Sequence, residues 1–147
     1  MQLSSVLRRT AACAITLGAV LVLMPRPAQA DVSLEAGAMT NSSNTSFAGA
    51  LSLGLLNLPL VPLAAELTVA APTSGGYVTT LDARLSFAGT AIGAGAGFGN
   101  LGATSTTGAV FDGLLAHTIA PHTALEARLY FGPTRPSTLF AGVRFSL

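Results

Sequence analysis

The sequence predicts an all-β protein, an eight-stranded antiparallel up-and-down barrel that crosses a membrane with its strands and follows a cleaved export signal. Three observations carry this. Eight segments alternate apolar and polar residues with a period of two, each close to the ~9–11 residues a tilted strand needs to cross a bilayer. Every charge inside those segments falls on one face. Most aromatic side chains sit at segment ends on the opposite, apolar face.

The first thirty residues are set aside from the fold. Arg8 and Arg9 precede an apolar run over 11–24, and Ala28-Gln29-Ala30 supplies an A-x-A end, so 1–30 reads as a signal peptide and 31–147 as the mature barrel. The apolar run is shorter than the about 20 residues of a membrane-spanning helix. Arg8-Arg9 reads as n-region charge rather than as a twin-arginine signal. Without this segment, six acids face four arginines, so the net charge is −2 instead of the +1 of the whole chain. Lysine is absent throughout, which removes any basic patch for nucleic acid. The single cysteine, Cys13, lies within the signal, so the mature chain has neither a disulfide nor a thiolate metal site. An exported small domain without disulfides needs another source of stability, and closing a sheet on itself is one.

In chain order the alternating segments are 32–39, 47–56, 60–70, 77–88, 90–99, 109–119, 123–132 and 138–147. No stretch sustains helical periodicity. The last two show the pattern best: Leu125, Ala127, Leu129 and Phe131 alternate with Glu126, Arg128, Tyr130 and Gly132, and Leu139, Ala141, Val143 and Phe145 alternate with Phe140, Gly142, Arg144 and Ser146. The connections, rich in Asn, Ser, Thr, Gly and Pro, are expected to alternate long and short, as extracellular loops and periplasmic turns do.

Alternation alone does not say which face is inside. In a soluble barrel the apolar face turns inward; in a membrane barrel it meets lipid. The polar face carries Glu35, Glu66, Asp82, Arg84, Asp112, Glu126, Arg128 and Arg144, five carboxylates and three arginines able to pair across a narrow lumen. Spread over a soluble exterior, the same set is sparse. Phe47, Tyr77, Phe98, Phe111 and Phe131 fall at one set of strand ends, and Phe87 and Phe145 at the other, which matches the two aromatic girdles of a membrane barrel. Tyr130 and Phe140 break the pattern by pointing to the lumen near its outer mouth, where they plug it.

These features resemble the small eight-stranded outer-membrane barrels of the OmpA/OmpX type. The resemblance covers nearly all of 31–147 and is architectural. Its most motif-like part is the last strand, where Leu139, Ala141, Val143 and Phe145 keep the family's alternation while Leu147 stands in place of the usual terminal aromatic. The resemblance implies a place in the bacterial outer membrane, contact with its lipid, and recognition of the last strand by the barrel-assembly machinery.

The lumen charges are read as structural ion pairs, because an eight-stranded barrel is just wide enough for side chains to fill. Arg144 is expected to bridge Glu126 and Glu35 across the closing seam, with Glu66, Asp82 and Arg84 as a second set. Paired carboxylates also serve as general acid and base, but no catalytic set emerges and no enzyme activity is expected. The inward glycines Gly93, Gly95, Gly97 and Gly99 are read as room for the bulky arginines and Tyr130 opposite, and as freedom for the strand to curve. The match of residues 97–102 to G-x-G-x-x-G lacks the helix and downstream acid of a dinucleotide site. His117 and His122 have no nearby acid or cysteine to complete a metal site, and neither cofactor nor metal is expected. Asn41 and Asn44 head glycosylation acceptors of no consequence in a bacterial host. The leading expectation is a filled outer-membrane barrel with a structural or surface-interaction role, not a general porin. The alternatives are a soluble exported barrel that binds a small apolar ligand with its apolar face inward, and a membrane-embedded lipid-modifying enzyme.

Overall fold

The computed structural model describes residues 31–58, 62–101, 106–133 and 135–147. The expected signal peptide and the start of the third segment at Leu60 and Val61 lie outside them. Eight strands run β1 Val32–Thr40, β2 Thr45–Asn57, β3 Leu63–Pro72, β4 Gly76–Phe87, β5 Thr90–Leu101, β6 Gly108–Ala120, β7 Thr123–Gly132 and β8 Arg135–Ser146. Each pairs antiparallel with its sequence neighbours, and β1 pairs with β8, so the sheet closes in strand order. Closure leaves no exposed sheet edge, which is the condition for placing strands in lipid.

Register decides what meets inside. Glu35 stands opposite Arg144 on the β1/β8 seam, Glu66 opposite Asp82 on β3/β4, and Asp112 opposite Tyr130 on β6/β7. With a side-chain period of two, each such pair sends its neighbours outward. Leu34, Leu81, Ile92, Leu115, Leu125 and Phe145 are accordingly exposed, while all eight strand charges named from the sequence are buried. The apolar face is outside, so a soluble barrel with an apolar ligand cavity is not the architecture of this chain. No helix among the described residues is long and apolar enough to cross a membrane, a fact with no bearing on strands.

The strands run further than the alternation suggested, and this changes the loops. At the end opposite the termini the connections are 41–44, 73–75, 102–107 and 133–134; at the end with both termini they are 58–62, 88–89 and 121–122. The expected long–short rhythm is therefore present only in part: 102–107 is long between the short 88–89 and 121–122, but 58–62 is longer than 41–44 or 73–75. The ladders of β1 to Thr40 and β4 from Gly76 absorb residues that the composition marked as loop. Two-residue turns occur at 88–89, where Ala88 (φ 46°) and Gly89 (φ 80°) both adopt positive φ, the requirement of a tight hairpin turn. Bulges between Gly54 and Leu56, Thr118 and Ala120, and Tyr130 and Gly132 shift the register near strand ends.

Candidate functional site in the barrel lumen

Along its axis the lumen has three zones. Near the end opposite the termini, Met39, Ala48, Ala70, Val78, Val110, Tyr130 and Phe140 form an apolar cluster, with Tyr130 and Phe140 almost fully buried. These two rings fill the position where the sequence placed a plug. The charged residues occupy the middle. Toward the termini a cavity of about 440 Å³ opens, lined by Ser33, Glu66, Arg84, Ser86, Arg144 and Ser146 among others.

Arg128 is the hub of the charged layer. Its Nε donates to Glu126 Oε1 at 2.6 Å, and its Nη1 donates to Asp82 Oδ2 at 2.5 Å and to Asp112 Oδ2 at 3.4 Å. One guanidinium on β7 thus draws in acids from β4 and β6, which its planar fork of donors makes possible. Arg144 grips Glu66 with two parallel bonds of 2.9 Å, Nη1 to Oε2 and Nη2 to Oε1. Its contacts with Glu126 at 3.4 Å and Glu35 at 3.6 Å are longer. Arg84 Nη1 donates to Glu126 Oε2 at 3.2 Å and lies 3.6 Å from Glu66 Oε1.

The expected bridge of Arg144 to Glu126 and Glu35 is thus present only as its weaker contacts; the bidentate partner is Glu66 on β3, across the lumen. Likewise Asp82 belongs to Arg128, not to Arg84. Cross-strand register identifies neighbours on adjacent strands, whereas a lumen this narrow also joins β8 to β3.

A hydroxyl pair that the sequence reading did not single out completes the layer. Ser52 Oγ lies 2.9 Å from Glu35 Oε1 and 3.0 Å from Thr68 Oγ1, and Thr68 Oγ1 lies 2.8 Å from Asp82 Oδ2. This row, Glu35–Ser52–Thr68–Asp82, crosses four consecutive strands. The only signal available beforehand was inward parity. The glycine row gives the acids their space: a Cβ on Gly95 would overlap Oδ1 of both Asp82 and Asp112. The crowding there comes from carboxylates on the flanking strands rather than from arginines opposite.

The aromatic residues named from the sequence, Phe47, Tyr77, Phe87, Phe98, Phe111, Phe131 and Phe145, are all exposed on the outer face. Phe111 and Phe131 face each other across β6/β7 with ring centroids 6.0 Å apart. His117 meets Thr90 Oγ1 through Nδ1 at 2.9 Å, and His122 sits in a turn at φ 59°. Among the described residues no group of three or more His, Cys, Asp or Glu is placed to hold a metal ion. Gly97 and Gly99 of the G-x-G-x-x-G match lie within β5.

A closed eight-stranded barrel with charges inside and apolar side chains outside can be compared directly with solved structures. The chain superposes on a transmembrane β-barrel designed de novo with a TM-score of 0.57 at 12% identity, covering 84% of this chain and 100% of that one. The fold is that of the small eight-stranded outer-membrane barrels. The Yersinia pestis outer membrane protein Ail, in a phospholipid bilayer nanodisc, matches with a TM-score of 0.56 at 12% identity over 81% of this chain and all of Ail. Ail in complex with the heparin analogue sucrose octasulfate matches with a TM-score of 0.57 at 10% identity, over 81% of this chain and 99% of that one. No protein-family model matches the sequence, and neither does any curated protein. At these identities the likeness is one of fold.

Proposed function

We propose that the chain is an integral outer-membrane barrel with a side-chain-filled lumen, exported by its N-terminal signal and serving a structural rather than a conducting role. The observation that carries this reading is the inversion of the two faces. Eight charged side chains are buried inside, while Leu81, Ile92, Leu115 and Phe98 stay more than half exposed on the outside. In water that outer face is a continuous aggregation liability; in hydrocarbon it is the matched solvent. The exposed rings at both ends of the strands suit headgroup depth, and the membrane lipid is the direct partner. Handling by the barrel-assembly machinery through β8 accords with the outward alternation of Leu139, Ala141 and Phe145.

A surface-interaction role rests on the loops opposite the termini. Ail has been captured with a sulfated heparin analogue; here loops 41–44 and 73–75 hold only Asn, Ser, Thr and Gly, and a lone Arg135 opens β8 at the same end. Asn41 Oδ1 accepts from the backbone N–H groups of Ser43 and Asn44 at 3.0 and 2.9 Å, so the first loop folds on itself. A structural role is the better fit.

The test is fractionation of the expressing cell together with gel migration before and after boiling. The barrel is expected in the outer membrane, migrating differently when unheated. Recovery from the soluble periplasm, with one migration position, overturns the proposal.

A further inference from the structure

The charged layer does not balance. Among the described side chains it holds Glu35, Glu66, Asp82, Asp112 and Glu126 against Arg84, Arg128 and Arg144, all buried, an excess of two negative charges. Three of the acids account for the three arginines. Glu66 has the bidentate grip of Arg144, Asp82 has Arg128 at 2.5 Å, and Glu126 has Arg128 at 2.6 Å and Arg84 at 3.2 Å. The other two are held loosely. Glu35 is no closer than 3.6 Å to any guanidinium nitrogen, and Asp112 no closer than 3.4 Å. Each also has a buried oxygen with no partner, Glu35 Oε2 and Asp112 Oδ1. An isolated charge in such a place is costly, and a buried acid avoids the cost by keeping its proton.

The hydroxyl row gives an independent count. Its three oxygen–oxygen contacts of 2.9, 3.0 and 2.8 Å need three protons, and Ser52 and Thr68 bring one each. If both hydroxyls donate outward to carboxylates, the 3.0 Å contact between them has no hydrogen. The third proton must therefore come from an acid at one end. Asp82 is the wrong end for it, because the Arg128 guanidinium donates to its Oδ2 at 2.5 Å and so favours the ionised carboxylate. Glu35 remains: its acid O–H donates to Ser52, Ser52 to Thr68, and Thr68 to Asp82. On the other side of Asp82, its Oδ1 has no partner and faces the same space beside Gly95 as Asp112 Oδ1. An O–H on Asp112 directed at Asp82 Oδ1 satisfies both orphaned atoms at once.

We propose that the folded barrel binds two protons in its lumen, one on Glu35 and one on Asp112, and that these take the place of counter-ions. Asp82 is the shared acceptor at the centre, reached by the Glu35–Ser52–Thr68 row on one side and by Asp112 on the other. Glu35 is faced by Arg144 on β8, by Glu126, Arg128 and Tyr130 on β7 and by the uncharged Ser52 on β2; Asp112 is faced by Asp82 on β4, by Arg128, Glu126 and Tyr130 on β7 and by Gly95 on β5. The folded state thus holds protons that the unfolded chain releases at neutral pH, so stability falls as pH rises.

The experiment is infrared spectroscopy of the full barrel, refolded in detergent, at neutral pH. A carbonyl band of protonated carboxylic acid is expected in the wild type and diminished in both Glu35→Gln and Asp112→Asn. Each amide can still donate to the same oxygen, so both variants should keep the wild-type heat resistance at neutral pH and lose less of it than the wild type at alkaline pH. Absence of the acid band from the wild type overturns the proposal, even if a variant fails to fold. So does heat resistance that depends on whether sodium, potassium, calcium or a large organic cation is present at fixed ionic strength, since a metal ion then balances the charge.

Discussion

At the scale of single residues, the lumen concentrates its dependence on Arg128. Removing one partner of a buried ion pair leaves the other charged and unpaired, at a cost of about 3–5 kcal/mol. Arg128→Met strands Asp82 and takes the shortest of the three arginine bonds from Glu126, so it should fall at the upper end of that range. Arg144→Met leaves Glu66 with Arg84 at 3.6 Å and beside the open inner cavity, where water can reach it, so it should cost less. Denaturant titration of both variants in the same detergent checks the order. A larger loss for Arg144→Met would mean that the bidentate Glu66 pair, not the Arg128 hub, holds the barrel together.

At the scale of the strand, the question is what solvent the outer face meets. Leu81 sits midway along β4, 55% exposed, with its neighbours Asp82 and Thr80 turned inward. An arginine at a bilayer midplane on a barrel's lipid face costs about 2–4 kcal/mol; on a surface in water the same substitution is near neutral. Leu81→Arg should therefore lower unfolding stability by about that amount in lipid vesicles, and an unchanged titration there would remove lipid from the outer face. Strands were the most legible part of the sequence. Their parity follows from a period of two, and one misplaced residue would have put Glu126 and Arg128 on the outside. Strand ends were less legible, because a ladder continues through Thr45, Ser46 and Gly76 wherever the partner strand offers hydrogen bonds, whatever the turn propensity of the residue. The partner of Arg144 was illegible for a further reason: pairing across a lumen depends on side-chain reach between β8 and β3, which no linear spacing encodes.

At the scale of the whole molecule, the lumen is blocked twice in series. Tyr130 and Phe140 close the end opposite the termini, and the Arg128 layer closes the middle, so the inner cavity of about 440 Å³ is a dead end. A general porin needs a continuous aqueous path, and eight strands enclose just enough space for side chains to fill. Vesicles carrying the purified barrel should therefore retain small sugars and show no steady conductance step. The serial arrangement makes a sharper demand on Phe140→Ala. Deleting the ring thins the outer plug to Tyr130 and its smaller neighbours, yet Arg128 still ties β7 to β4 and β6 beneath it, so the variant should remain closed in planar bilayers. A sustained open level in Phe140→Ala would show that the ion pairs yield to water once the ring is gone, and that the aromatic plug alone had kept the barrel shut.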